Sequence, residues 1–126
     1  MMRWMVLLAL ASPAAAQEVA VPSGVPMTLY DVRLEQEPEE VARFRFVSAA
    51  IDPAGAGRTF GDLVDDLQFI CEQVVVPSLA ANAWTGRSVV ISVSSRETEF
   101  GIYDDSVTQF FQPYQITGDT CAWEEF

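Results

Sequence analysis

The sequence predicts an α+β protein, in which a small antiparallel or mixed sheet of about four to five strands packs against one main helix and one short helix. Three observations carry this prediction. Apolar and polar residues alternate over several short segments, which is typical of half-buried strands. One longer segment repeats its apolar residues roughly every three to four positions, which is typical of a helix. Turns rich in glycine, proline and acidic residues separate these elements. The predicted order is β-β-α-β-(β)-α-β.

Residues 1–16 have the composition of a cleaved export signal. Arg3 gives a positive start, an apolar run follows over residues 4–11, and three alanines precede Gln17. The apolar run is far shorter than the roughly 20 residues that span a bilayer, so we expect no membrane span. We expect cleavage between Ala16 and Gln17, which would leave a periplasmic or secreted protein.

The remaining chain is predicted to consist of an extended lead-in over residues 17–27 and a single α+β domain over residues 28–126. Residues 28–35 and residues 42–49 both alternate, and the charged turn at 36–40 joins them as a β-hairpin. Alternate positions of the first strand are expected to share one face: Tyr30, Val32 and Leu34.

The main helix is predicted to begin at the Thr59 cap and to run towards Pro77, with a short continuation over residues 78–83. Thr59 precedes it, and Asp62 stands at the position that completes a capping box. Pro77 is expected to end or kink the helix, because proline has no N–H to donate. A single apolar stripe runs along the predicted helix: Phe60, Leu63, Val64, Leu67, Cys71 and Val74.

The C-terminal part is predicted to return to strands. Residues 87–95 alternate and form a strand, with 98–103 as an optional further strand beside it. A short helix over 106–111 is expected to stop at Pro113, and residues 121–126 are expected to close the sheet. Three residues of the first of these strands are expected to face the core: Val89, Ile91 and Val93.

The chain is strongly acidic, with 18 acidic residues against seven basic ones and a formal net charge of −11. Such a surface repels phosphate backbones and anionic lipids, which argues against nucleic-acid and membrane partners. There is no histidine and no lysine, so Ser-His-Asp, Cys-His and Schiff-base chemistry are excluded. The glycines match no phosphate-binding loop, so no cofactor is expected.

Cys71 and Cys121 are the two cysteines of the chain. In an exported protein an even number of cysteines indicates a disulfide. The alternative, a redox pair, usually has Cys-x-x-Cys spacing, which is absent here. The sequence therefore favours a structural bridge that joins the main helix to the C-terminal strand, with Trp123 on the same face of that strand as Cys121.

Three carboxylates cluster in the first turns of the main helix: Asp62, Asp65 and Asp66. Neighbouring carboxylates can perform acid–base catalysis or bind a cation such as calcium. The alternative, which the sequence favours, is a solvated helix face, because the calcium-loop pattern is absent.

A second candidate site is a group of arginines. Arg43, Arg45 and Arg96 are able to converge on one sheet face and bind a carboxylate. The alternative, again favoured, is pairing across the hairpin with Asp31 and Glu35.

A third candidate is an exposed apolar patch for a partner protein. Residues 99–114 are rich in aromatic side chains, including Phe110 and Phe111, and Phe69 lies on the acidic side of the main helix. The alternative is ordinary packing of the short helix onto the sheet.

The chain resembles an uncharacterised family of small exported bacterial proteins that is classed as a domain of unknown function. The resemblance covers about residues 21–126 and follows, in order, VPSG, RFRFV, a mid-helix cysteine, VVISVS, EFG, TQFF and CAWEEF. It implies export but no activity, so no catalytic, cofactor or metal residue is carried over to this chain.

Taken together, these features favour an exported acidic protein that acts as a non-enzymatic periplasmic protein-binding or accessory module, with another exported protein as its partner. Two alternatives remain open. One is a small hydrolase or lyase that uses the carboxylates of the main helix. The other is a protein that binds a small ligand or a cation.

Overall fold

The structure, a computed structural model, describes residues 16–125. A six-stranded mixed sheet has its strands adjacent in chain order. Neighbouring strands are antiparallel except β3 and β4, which are parallel. The strands are β1 Gln17–Glu18, β2 Thr28–Glu35, β3 Val41–Val47, β4 Ser88–Ser94, β5 Gln109–Thr117 and β6 Thr120–Trp123.

A helical crossover joins β3 to β4, as parallel neighbours require. It consists of a 3-10 turn, helix α1, a π-helical turn and helix α2, at Ala49–Ile51, Phe60–Ile70, Cys71–Val75 and Val76–Ala81 respectively. The predicted capping box is confirmed. The Thr59 hydroxyl accepts a hydrogen bond from the Asp62 N–H at 3.3 Å, and the Asp62 carboxylate accepts one from the Thr59 N–H at 2.8 Å.

Pro77 distorts the helical segment without ending it. Pro77 lies in the first turn of α2. The N–H of Val76 donates to the carbonyl of Cys71, five residues back, which defines the widened π-helical turn before the proline. The wider turn moves the preceding carbonyls away from the proline ring, so the chain stays helical to Ala81.

The hydrophobic core lies between the helices and one face of the sheet. The helices contribute Leu63, Leu67, Ile70, Cys71, Val75 and Leu79. The strands contribute Ala42, Phe44, Phe46, Val89, Ile91, Val93 and Tyr114, which confirms the predicted inward positions of β4. Val21, Val25 and Met27 of the lead-in close the same core. Each of these side chains is at most 8% exposed, so this face is the packed side of the protein.

The predicted disulfide between Cys71 and Cys121 is present, with 6.3 Å between the two Cα atoms. It joins the π-helical turn to β6. Trp123 faces the same way as Cys121, as expected, and its ring packs edge-on against Phe60 at 5.9 Å. The carboxylate of Glu72 accepts the N–H of Cys121 at 3.0 Å, so a hydrogen bond reinforces the covalent link.

The α+β class and the single main helix are confirmed, but the predicted number of strands is too low. The expected lead-in contributes β1, whose two residues pair with β2. The short helix expected over residues 106–111 is wrong, and so is the optional strand over 98–103. Residues 95–108 form an irregular loop, and strand β5 begins at Gln109. Seven residues of β5 pair with β4, and this long ladder outweighs the local helical pattern.

Pro113 therefore lies inside a strand instead of ending a helix. Its carbonyl accepts the N–H of Glu124 at 3.0 Å. In a strand the nitrogen and the carbonyl of one residue point the same way, so the proline nitrogen faces away from Val90, its neighbour on β4. The β4–β5 ladder loses no hydrogen bond to the proline.

One further prediction is wrong: Tyr30 does not share a face with Val32 and Leu34. The β2–β3 hairpin is confirmed, but its register shifts between Leu29 and Asp31. This bulge turns Tyr30 to the sheet face opposite the helices, where its hydroxyl accepts the N–H of Thr98 at 3.3 Å.

Within residues 16–125, no helix has the length and apolar character needed to cross a bilayer. The predicted export signal, apart from Ala16, lies outside the described residues.

Candidate functional site

The sheet face that turns away from the helices is called the open face here. It carries a pocket of about 480 Å³, the open-face pocket. Strands β3, β4 and β5 form its floor, and the loop over residues 95–108 forms its roof. The lining residues are Arg43, Arg45, Val90, Ser92, Thr98, Glu99, Phe100, Gly101, Ile102, Tyr103, Val107, Gln109 and Phe111.

Arg45 holds the loop over residues 95–108 against the sheet. Its side chain is 9% exposed, and one end of the guanidinium donates to the carboxylate of Asp31. The other end donates to the carbonyl and the hydroxyl of Thr98 at 2.9 and 3.1 Å. Because Thr98 belongs to the loop, these bonds hold the loop against the sheet.

Two aromatic rings enclose the same guanidinium. The Cζ atom of Arg45 lies 5.1 Å from the centre of the Tyr30 ring and 5.3 Å from that of Phe100. The guanidinium of Arg33 covers Phe100 at 4.6 Å. Cation–π contacts of this kind stabilise a charge that has left bulk water. Phe100 thus joins two arginines to the roof of the pocket.

The electrostatics of Asp31 follow from its two arginine neighbours. Burial raises the pKa of Asp31, but hydrogen bonds from Arg45 and Arg33, together with their charges, lower it by more. The net pKa lies below its usual value of 3.8. Asp31 therefore remains charged and keeps Arg45 paired down to acidic pH.

Of the two arginines that line the pocket, Arg43 has both outer nitrogens without a hydrogen-bond partner among residues 16–125. Its Nε donates to Glu35 at 3.1 Å, which restrains the orientation of the guanidinium. Among residues 16–125, the outer nitrogens of Arg43 have no hydrogen-bond acceptor. The side chain is 34% exposed and lines the pocket. It offers two N–H groups in a restrained orientation to a bound anion.

The floor of the pocket adds polar groups between apolar ones. Ser92 is only 6% exposed, and its hydroxyl has no hydrogen-bond partner within the described part of the chain. The Gln109 amide nitrogen donates to Ser94 and Thr98 at 3.0 and 3.4 Å. Apolar side chains surround these groups: Val90, Phe100, Ile102, Tyr103, Val107 and Phe111. An apolar enclosure with a few oriented polar groups is the usual composition of a ligand site.

The local charge around the pocket differs from that of the chain. The whole sequence carries a formal charge of −11. Around the pocket, three guanidinium groups, Arg33, Arg43 and Arg45, face the carboxylates of Asp31 and Glu35 and the exposed Glu99 at the rim. The pocket is therefore a nearly neutral region on an acidic protein, where a small anion meets less repulsion than the net charge of the chain implies.

The arginines predicted from the sequence separate into two groups. Arg43 and Arg45 line the same pocket, and each also forms its cross-strand pair, with Glu35 and Asp31 respectively. The interpretation as a shared site and the interpretation as cross-strand ion pairs thus each describe part of the arrangement. Arg96 does not join them, since it donates to the hydroxyl of Ser106 on the outside of the loop.

The three aspartates of the main helix do not converge. Asp62 is engaged in the capping box, and Asp65 is exposed. Asp66 is buried and accepts hydrogen bonds from the backbone and the hydroxyl of Ser23. Among the residues that the structure describes, no group of three or more histidine, cysteine, aspartate or glutamate side chains is arranged to hold a metal ion. The arrangement gives no geometric support to catalysis by these carboxylates.

The aromatic residues predicted as a patch lie in different places. Phe110 and Phe111 are consecutive in β5 and point to opposite faces. Phe110 packs edge-on against Phe60 at 5.8 Å on the helix side, whereas Phe111 is 46% exposed in the pocket. Phe69 is half-buried on α1, away from the pocket lining.

Several residues of the pocket were not recognised from the sequence. Ser92 appeared only as an outward position of a predicted strand, and Thr98 as part of an optional one. A sequence signal existed in Ser88, Ser92 and Ser94, which occupy three of the four positions that alternate with the inward residues of β4. That pattern indicates a strand with a small, polar outer face, and small side chains leave room for a ligand.

A second cavity, of about 510 Å³, lies between α2 and the β5–β6 hairpin. Its charged residue, Arg87, donates from Nε to the carbonyl of Ile116 at 3.1 Å. This cavity is slightly larger, and the buried Nε1 of Trp84 in its lining has no hydrogen-bond partner among residues 16–125. It brings together fewer polar side chains than the open-face pocket. The open-face pocket is therefore the stronger candidate.

Comparison with known proteins gives one match. No curated protein and no solved structure matches the chain. A family model described as a family of unknown function, DUF6497, matches residues 5–126. The resemblance to a domain of unknown function is thereby confirmed, and the chain belongs to the DUF6497 family.

Proposed function

We propose that this protein is an exported, non-enzymatic binding module and that its open-face pocket binds a small amphipathic molecule. The observation that carries the proposal is the composition of the pocket. Its apolar wall surrounds Ser92 and the outer nitrogens of Arg43, polar groups that have no partner among the described residues. Groups of this kind orient a ligand whose apolar part fills the enclosure.

The residue types of the chain favour binding over catalysis. The sequence contains no histidine and no lysine. The aspartates of the main helix, which were the candidates for a carboxylate-dependent hydrolase or lyase, point in different directions. Orienting a bound molecule requires none of the proton-transfer groups that a hydrolase needs.

Export is supported by two features. Residues 1–16 have the composition of a cleaved signal, and the Cys71–Cys121 bridge is of a kind that persists in oxidising compartments. We propose that the mature chain begins at Gln17 and that residues 28–126 form a single domain. Mass spectrometry of the exported protein should find Gln17, or its cyclised form, at the N-terminus. An intact Met1 in that fraction would contradict the proposal.

A protein partner is the second candidate, and one observation favours it. Ile102 and Tyr103, at the mouth of the pocket, are 58% and 82% exposed. Large apolar side chains with this exposure are frequent where a partner protein docks. The proposal of a small ligand is stronger, because a flat docking surface does not require the polar floor of the pocket.

The test uses a neutral fluorescent probe, Nile red, with two charge-introducing variants. Phe111→Glu places a charge inside the pocket, and the control Val32→Glu places one on an exposed apolar residue of β2, 37% exposed and outside the pocket. We expect saturable binding to wild type and to Val32→Glu, and at least tenfold weaker binding to Phe111→Glu. Absence of saturable binding to wild type, or equal binding to all three proteins, would overturn the proposal.

A further inference from the structure

We infer that the ligand of the open-face pocket carries a single carboxylate, which Arg43 and Ser92 bind, and an apolar body that the remaining walls enclose. This inference rests on the proposed ligand-binding function and names the class of ligand. It follows from which polar groups of the pocket already have partners and which do not.

Arg45 is not available to a ligand. Its guanidinium donates to Asp31 and Thr98 and lies between the rings of Tyr30 and Phe100. A ligand would have to break these contacts in order to reach it. Arg45 therefore shapes the pocket but does not bind the anion.

Arg43 is available. Its Nε donates to Glu35 at 3.1 Å, which restrains the guanidinium before a ligand arrives. The outer nitrogens then present parallel N–H groups, the arrangement that matches the two oxygens of a carboxylate. Because the ligand does not have to order this side chain, binding costs less conformational entropy.

Ser92 is the second donor. It is 94% buried, lines the pocket and has no hydrogen-bond partner among residues 16–125. Val90 is paired with Arg43 across β3 and β4, and Ser92 stands two residues further along the same face. The hydroxyl is therefore a diagonal neighbour of Arg43. The Ser92 hydroxyl is not among the fully buried polar atoms that lack a partner, so it opens to the pocket and is free to donate to a bound carboxylate.

The surroundings limit the ligand to one carboxylate. Asp31 and Glu35 lie beside the arginines, and Glu99 stands at the rim. The rest of the wall is apolar, with Val90, Phe111 and Ile102 among its residues. A second carboxylate would lose its hydration against apolar side chains or face a carboxylate of like charge. The apolar body in turn gains free energy by leaving water.

The experiment compares molecules of one chain length with different head groups: octanoate, octanol, octylammonium and octanedioate. Binding is measured by isothermal titration and by NMR shifts of the amides of β4 and the loop over residues 95–108. We expect octanoate to bind at least tenfold more tightly than octanol and octanedioate. Octylammonium should bind most weakly, because it places a positive charge beside Arg43.

Matched variants assign the head group to its residues. Arg43→Gln should weaken octanoate binding at least tenfold and change octanol binding less than twofold, with Arg58→Gln as the control on an exposed arginine outside the pocket. Ser92→Ala should weaken octanoate binding about threefold to tenfold. Its control is Ser88→Ala, on the same strand but outside the pocket.

The outcomes separate the two proposals. If neither octanol nor Nile red binds, the ligand-binding function itself is wrong. If both bind in the pocket but octanoate binds no more tightly than octanol, or Arg43→Gln leaves octanoate binding unchanged, the carboxylate inference alone is overturned. Thermal melts of all variants verify that each is folded.

Discussion

The two faces of the sheet differ in side-chain composition and in how they are covered. The helix-covered face carries the apolar core, whose residues are at most 8% exposed, and a disulfide joins the helices to the last strand. The open face carries arginines, serines and a partly exposed phenylalanine, and it is covered by a loop that hydrogen bonds and cation–π contacts hold in place. The first face supplies the stability of the fold, and the second face has the groups that a ligand needs. Substitutions on the two faces should therefore have different consequences.

The largest effect is expected from removing the disulfide. The bridge links residues that are 50 positions apart, and the chain-entropy model assigns about 4 kcal/mol to a loop of that length. The double variant Cys71→Ala/Cys121→Ala should therefore melt more than about 10 °C below wild type. Wild type in reductant should melt close to the double variant. Two free thiols in the denatured, unreduced wild type would contradict this prediction.

Phe110 and Phe111, which are consecutive in β5, allow a direct comparison of the two faces. Phe110 packs against Phe60 on the helix side, whereas Phe111 is 46% exposed on the open side. Phe110→Ala should lower the free energy of unfolding by about 2–4 kcal/mol, while Phe111→Ala should lower it by less than about 1 kcal/mol. Urea denaturation measures both. Equal losses would show that the open face contributes to stability as much as the helix-covered face.

Arg45→Met should affect the loop more than the core. Methionine keeps much of the side-chain volume but loses the bonds to Asp31 and Thr98, and such a change costs about 1–3 kcal/mol. Amide hydrogen exchange should speed up most over residues 95–108 and least in the core positions of β4. The control Arg33→Met, at a more exposed arginine, should change loop exchange less. Uniform acceleration across the sheet would contradict a local role for Arg45.

The smallest effect is a dependence on pH. The pKa of Asp31 is lower in the folded protein than its usual 3.8, so the unfolded chain takes up a proton first as the pH falls. The stability contributed by Asp31 is present above the unfolded pKa and is lost as the pH falls through the folded pKa. Asp31→Asn should be less stable than wild type at pH 7, and the gap should narrow below about pH 5.

Melting temperatures of wild type and Asp31→Asn between pH 7 and pH 3 measure this gap. The matched control is Asp105→Asn, at an exposed position of the loop. Its difference from wild type should stay small throughout. A gap for Asp31→Asn that is constant over the whole range would count against the ion pair with Arg45 as its cause.

Local patterns in the sequence correctly predicted the elements whose side chains interact with near neighbours. The capping box needs only Thr59 and Asp62, and the inward positions of β4 follow from alternation along one strand. The Cys71–Cys121 bridge was predictable because the chain offers one pairing. The short helix over residues 106–111 was predicted wrongly. Part of this segment belongs to strand β5, which is stabilised by pairing with β4, and a local pattern does not contain that distant strand.

The pocket was predictable in part. Arg43 and Arg45 were singled out, since alternate positions of a strand share a face. Their different roles were not, because the sequence does not say which guanidinium meets Thr98 from a loop 53 positions away. Ser92 lies in the site because of the register of β4, and Phe100 lies there because the loop over residues 95–108 folds over the sheet.

The sequence by itself determined the class of the fold, the start of the main helix, the disulfide and the acidic character of the chain. These features depend on which residue types the chain contains and, for the main helix, on their spacing over one or two turns. Only the tertiary structure decided that a loop covers a pocket on the open face and that a bulge turns Tyr30 to this face. It also decided that both outer nitrogens of Arg45 are hydrogen-bonded while those of Arg43 are not. Each of these depends on contacts between residues distant in sequence, and such contacts form where the whole chain lowers its free energy by packing, whatever its local segments favour.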